Sequence, residues 1–162
     1  MADKIKIAVS WAAACGGCDV SLLDTEERLL DLAAIADIVY WPVAMDFKRE
    51  QFAALADQSV DIGLFNGAVR TSEQAEDAEL FRDKCKLLVA YGSCACFGGI
   101  PGLANLADRD QIFEVAYGTT PSTENPDGLR PQVQTPTKAG TLNLPTFFDT
   151  VYSLPQQVKV DA

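Results

Sequence analysis

The chain contains no histidine, which excludes imidazole ligation of a metal and leaves cysteine as the soft ligand present in quantity. Basic residues are scarce as well: 13 Lys and Arg stand against 23 Asp and Glu, a formal charge of −10. Such a surface repels a phosphate backbone, so nucleic acid is excluded as an expected partner. No apolar run approaches the ~20 residues that a helix needs to cross a bilayer, and no direct membrane insertion is expected. The opening Met1-Ala2-Asp3-Lys4 lacks the long apolar segment of a secretory signal. A disulfide framework is missing too: the five cysteines are an odd number, and two pairs lie too close in sequence to be bridged readily. A reducing cytoplasm suits such thiols better. No internal repeat is visible.

What is present is enough apolar residue for a core, 48% of 162 residues, and a chain length that suits one domain. Ile5, Ile7 and Val9 alternate within a first strand. Leu22, Leu23, Leu29, Leu30 and Ala33 place an apolar stripe on a helix that starts near Asp19 or Asp24 and runs to Ala34, with Asp24 and Glu27 as a cap partway along. Residues 38–41 form a second strand, stopped by Pro42. Residues 48–57 are helical with Phe52 and Leu55 inward, and residues 60–65 are a third strand ending at Asn66-Gly67. Thr71 and Gln74 make a capping box for a helix to Lys84. Residues 87–91 are a fourth strand, and residues 108–116 one more short helix. This alternation predicts an α/β fold with a parallel sheet and right-handed crossovers, whose functional loops gather at the carboxyl ends of the strands. Most of the eight prolines (Pro121, Pro126, Pro131, Pro136, Pro145 and Pro155) lie in a low-charge stretch that also carries Phe147, Phe148 and Tyr152. Residues 1–116 are therefore expected to form the domain. Residues 117–162 are expected to be a long irregular proline-rich extension packed on a partner subunit rather than a disordered tail.

Two cysteine stretches follow strands in this plan. Cys15-Gly16-Gly17-Cys18 follows the first, and Gly92-Ser93-Cys94-Ala95-Cys96-Phe97-Gly98-Gly99 follows the fourth. The topology brings both to one sheet edge, although they are far apart in sequence. Cys15, Cys18, Cys94 and Cys96 are compatible with a structural zinc site, and Cys-x-x-Cys alone with a redox dithiol. The glycine density suits an iron–sulfur cluster, which needs close backbone approach and amides directed at sulfur. Cys85 reads as a buried small hydrophobe. Cys96 is either a spare ligand or a core residue beneath the loop. Asp19 reads as a helix cap, and Trp11 and Trp41 as packing residues.

At these residues the chain resembles the small subunit of cytoplasmic nickel–iron hydrogenases of the methyl-viologen-reducing and NAD-reducing type. It is also related to the 20 kDa iron–sulfur subunit of NADH:ubiquinone oxidoreductase, which usually has adjacent cysteines where this chain has Cys15-x-x-Cys18. The resemblance rests on Cys15-x-x-Cys18, Gly92-x-Cys94-Ala95 and Gly98-Gly99-Ile100-Pro101-Gly102, and it covers residues 4 to 116 best. It implies a flavodoxin-like doubly wound domain carrying one 4Fe–4S cluster, with Cys15, Cys18 and Cys94 in three of the four ligand positions. The implied role is electron relay with no catalytic residue in this chain. A large subunit would hold the nickel–iron centre, and further iron–sulfur or flavin subunits would lie downstream. Many relatives have Glu where this chain has Asp19, and Glu where it has Asn66. The family's fourth ligand lies in a Gly-Cys-Pro-Pro motif, expected beyond Ala162 in a longer native chain, with Cys96 as the fallback. A complex I-like electron-transfer subunit and a zinc-binding or non-redox scaffold are the alternatives.

Overall fold

A computed structural model describes residues 4–162. Residues 1–3, the opening of the expected first domain, lie outside the described residues. In chain order the elements are β1 (Ile5–Trp11), α1 (Gly17–Leu23), α2 (Arg28–Ile35), β2 (Ala36–Tyr40), α3 (Arg49–Ala53), β3 (Val60–Asn66), β4 (Val69–Thr71), α4 (Ser72–Lys84) and β5 (Cys85–Tyr91). They continue with α5 (Ser93–Phe97), α6 (Gly99–Gly102), α7 (Arg109–Glu114), β6 (Gln134–Thr137), β7 (Gly140–Asn143) and β8 (Phe147–Tyr152).

Strands β2, β1, β3 and β5 pair in that order in a four-stranded sheet, every neighbour parallel. Because side chains alternate across a strand, β1 feeds both faces. Ile7 and Val9 join Ala36 and Trp41 on one face, packed on Leu22 and Leu32 from α1 and α2. Ala8 lies on the other, with Phe65, Leu88, Phe52 of α3, and Ala78 and Phe81 of α4. Helices on both faces make the sheet doubly wound, as expected. The second face is held by aromatic packing: Tyr40 stacks on Phe52 with centroids 4.8 Å apart, and Phe81 meets Phe52 at 4.7 Å and Phe65 edge-on at 5.7 Å.

Helix α4 begins as its sequence dictates. The Thr71 hydroxyl accepts from the Gln74 N–H at 3.3 Å, and the Gln74 side chain returns to the Thr71 N–H at 3.2 Å. Cys85 sits at the foot of β5, one residue past α4, fully buried beside Phe81 as expected of a small hydrophobe. Burial pushes its thiol up to about 12, so it is a neutral apolar filler at ordinary pH. Cys85→Ser should cost about 1–3 kcal/mol for a poorly satisfied buried hydroxyl, read as a shift of the denaturation midpoint without loss of any bound metal.

Four expectations need correction. The first helix is broken in two, because the Thr25 hydroxyl donates to the Leu22 carbonyl at 2.7 Å and Glu26 takes a positive φ of 50°. The predicted cap partway along does not form; Glu27 precedes α2 without a side-chain bond. The helix expected at residues 48–57 is confined to α3. The proline-rich segment is also less irregular than its composition suggests. β6 and β7 form an antiparallel hairpin, and β8 pairs antiparallel with β4. Val151 and Leu154 are buried, and the Ala90 N–H donates to the Ala162 carbonyl at 2.8 Å alongside β5.

Candidate metal centre

β1 and β5 flank β3, so the loops leaving their carboxyl ends share one edge of the sheet. The first loop is fastened across that edge by backbone bonds. Ala12 N–H donates to the Asn66 carbonyl at 2.8 Å, and Ala13 and Ala68 exchange bonds of 2.9 and 2.8 Å. Beyond these bonds Cys15 lies exposed and Cys18 enters α1 half-buried. From the other side, Cys94 enters α5, buried against Ala68 and Val151. The Tyr91 and Ser21 hydroxyls share a hydrogen bond of 2.8 Å, and Ser21 donates on to the Cys18 carbonyl at 2.7 Å. This contact ties the end of β5 to the helix that carries Cys18.

Two glycines show how closely the backbone approaches sulfur. A Cβ on Gly92, at φ 86°, would overlap the Cys18 Sγ. A Cβ on Gly99, at φ 49°, would lie 2.7 Å from the Cys94 Sγ. Only glycine fills both positions without strain. The Gly17 N–H also points at the Cys15 Sγ, 3.5 Å away. Burial first, and then the nearby charges of Cys94 and Cys15, raise the Cys18 thiol above its ordinary range. Thiolates gathered this way repel one another unless a positive core sits among them.

Among the described residues, no three Cys, Asp or Glu side chains converge as ligands of a single ion must. Zinc would need thiolates at about 2.3 Å from one centre. A four-iron cube holds its thiolates farther apart, and it exploits both backbone approach and amide-to-sulfur bonds. The two glycines closed on sulfur and the Gly17 amide are features that an iron–sulfur cluster exploits.

Of the candidate ligands, Cys15, Cys18 and Cys94 all lie in the loops and helix starts at this edge. Cys96 turns away: its Sγ donates to the Ala90 carbonyl at 3.1 Å and packs against the Phe-rich core. Asp19 is not the helix cap, a position held by Gly16. Its buried carboxylate accepts from Trp41 Nε1 at 2.8 Å and from Asn66 Nδ2. The packing role expected of Trp41 is thus only half of its part, whereas Trp11 is largely exposed. The sequence signal for this trio was a polar residue at the end of an apolar strand, Asn66, directly before Gly67.

Residues 15–161 match the family described as NADH ubiquinone oxidoreductase, 20 Kd subunit. The chain belongs to that family. Within it, the chain is 40% identical over 158 residues to an F420-non-reducing hydrogenase iron-sulfur subunit of Archaeoglobus profundus, covering 97% of this chain and 49% of that protein. It is 33% identical over 114 residues to the NAD-reducing hydrogenase HoxS subunit delta of Cupriavidus necator, covering 70% of this chain and 51% of that protein. The chain thus spans about half the length of these curated relatives. A crystal structure of NAD+-reducing NiFe-hydrogenase in the H2-reduced state contains a chain that superposes with a TM-score of 0.81 at 28% identity, covering 98% of this chain and 80% of that one. This 20 Kd family member therefore shares with that chain the four-stranded parallel sheet flanked by helices. No helix among the described residues is long and apolar enough to cross a membrane.

Proposed function

We propose that this chain is the electron-transfer small subunit of a nickel–iron hydrogenase, with Cys15, Cys18 and Cys94 as ligands of one 4Fe–4S cluster. The observation that carries the reading is the meeting of the two cysteine loops at one sheet edge, with Gly92 and Gly99 making room against the sulfurs. Kinship with hydrogenase subunits in archaea and bacteria supports the same reading. When bound, such a cluster supplies one-electron transfer. The chain's own residues place it: α1 and α5 present thiols, the Gly17 amide faces sulfur, and the Tyr91–Ser21 contact holds the two loops in register.

The partner in this reading is a large subunit that holds the nickel–iron centre, with further iron–sulfur or flavin subunits accepting electrons. Beside Cys94, the segment from Phe97 to Leu106 exposes Phe97, Ile100, Leu103 and Leu106. A partner seated there would bury that apolar surface and exclude water from the sulfurs. The free thiols fit a reducing compartment, the cytoplasm.

The test is anaerobic purification of the chain with its partner subunits. Expected are a broad visible absorbance that dithionite bleaches, four irons per chain beyond those of the partner subunits, and hydrogen-dependent reduction of a viologen dye. Stoichiometric zinc, with no iron beyond that of the partner subunits, would overturn the reading. Cys96→Ala should retain the full iron content, because its sulfur is directed at the Ala90 carbonyl. Iron loss in that variant would make Cys96 a ligand.

A further inference from the structure

Arg70 is the middle residue of β4 and is 7% exposed. Its backbone is fixed by the capping box of α4, where the Gln74 side chain accepts the Arg70 N–H at 2.8 Å. Its side chain has no such partner. The guanidinium lies over the Phe147 ring, 4.4 Å from the centroid. Nε and Nη2 are buried and donate to nothing. Among the described residues, no carboxylate pairs with Arg70. Burial alone, with no neighbouring charge, draws the guanidinium below its ordinary range, yet an arginine stays protonated in a protein. A buried cation left without a counter-ion is costly.

Nε and Nη2 form one edge of the guanidinium. Their N–H bonds run side by side and match the two oxygens of a carboxylate. The chain has 23 Asp and Glu, and none of the described ones is placed at that edge. The surroundings of Arg70 indicate where an anion would come from. β4 pairs with β8, and the Val151 backbone of β8 exchanges hydrogen bonds of 2.8 and 2.9 Å with the Asn105 side chain. Asn105 belongs to the segment that exposes Phe97, Ile100, Leu103 and Leu106. A partner seated on that apolar segment therefore also meets the β4–β8 pair beside it.

We infer that Arg70 is an anchor for a carboxylate of the partner subunit that covers the Phe97–Leu106 segment. The inference rests on the functional reading above, in which that partner is the large subunit. An Asp or Glu side chain of the partner binds side-on to Nε and Nη2. The exposed fraction of Arg70 places the group just beneath the surface, and side-chain turns that uncover such a group are common where proteins meet. A desolvated pair of this kind weighs heavily in an interface, because removing one member leaves the other charge buried and alone.

The experiment is a structure of the anaerobically purified complex by electron cryomicroscopy, together with the dissociation constant of Arg70→Met. Expected is an Asp or Glu of the partner within hydrogen-bond distance of Nε and Nη2. Methionine keeps an apolar stem and loses the charge, so its complex should bind about tenfold or more weakly. Iron in the assembled fraction should stay at the wild-type level. Arg70→Lys keeps the charge without the fork, and its affinity should fall between the two. An edge faced only by water, by a free inorganic anion, by a partner carbonyl or by a carboxylate of this chain overturns the inference. Wild-type affinity in Arg70→Met overturns it as well. If Arg70→Met does not fold, the structure of the wild-type complex decides alone. A wild-type chain that takes up no large subunit removes the functional reading, and this inference with it.

Discussion

Cys94→Ser is expected to abolish hydrogen-dependent dye reduction and to bleach the iron–sulfur absorbance, while the domain stays folded. Cys94 is the second residue of α5, buried, with the Gly99 backbone closed over its sulfur. A serine oxygen nearly fills the same volume, so the cavity is small, but it is a hard ligand where the cluster needs a soft thiolate. Iron in the purified complex should fall well below stoichiometry, and the thermal unfolding midpoint should move only slightly. The comparison that gives this force is Cys85→Ser, in the same strand-and-loop unit. Its sulfur is enclosed by the core at the opposite end of β5, and iron should be unaffected. Equal iron loss in the two variants would refute the assignment of Cys94.

The parts of this molecule that were legible beforehand are those governed by local rules. The period of two in Ile5, Ile7 and Val9 located β1. The Thr71–Gln74 pair located the start of α4 to the residue. From alternating strands and helices, the implied parallel sheet placed the loops carrying Cys15, Cys18 and Cys94 at one edge. What stayed hidden depends on contacts between distant residues. β4 has three residues, and its partner β8 lies in the proline-rich segment with a shift in register, so neither has a pattern of its own. The β6–β7 hairpin turns through Lys138-Ala139, which lacks the Asn-Gly or Asp-Gly signature of a two-residue turn. The Asp19–Trp41–Asn66 trio draws on α1, the end of β2 and the end of β3, and no spacing rule connects them. Asp19 looked like a cap because a carboxylate at a helix start usually is one. Here Gly16 takes that place in a left-handed conformation, and the carboxylate is free to turn inward.

Gly92→Ala is the second large effect. Gly92 adopts φ 86° and ψ 167°, a region that is open essentially only to glycine and costs another residue on the order of 1–3 kcal/mol. The strain is not the whole consequence. The added Cβ would overlap the Cys18 Sγ, and no backbone shift is needed to relieve that overlap if the thiol rotates away. That rotation is what a ligand position does not tolerate. Chemical denaturation should therefore show a loss of about 1–3 kcal/mol, and iron analysis a deficit comparable with that of removing a ligand. Gly102→Ala is the matched control. It lies in the same glycine-rich stretch, has a helical φ of −64°, and its added Cβ meets nothing within 4 Å. That variant should keep both its stability and its iron. If Gly92→Ala also keeps full iron, Cys18 does not hold its thiol against the end of β5, and the two cysteine loops do not frame one cluster.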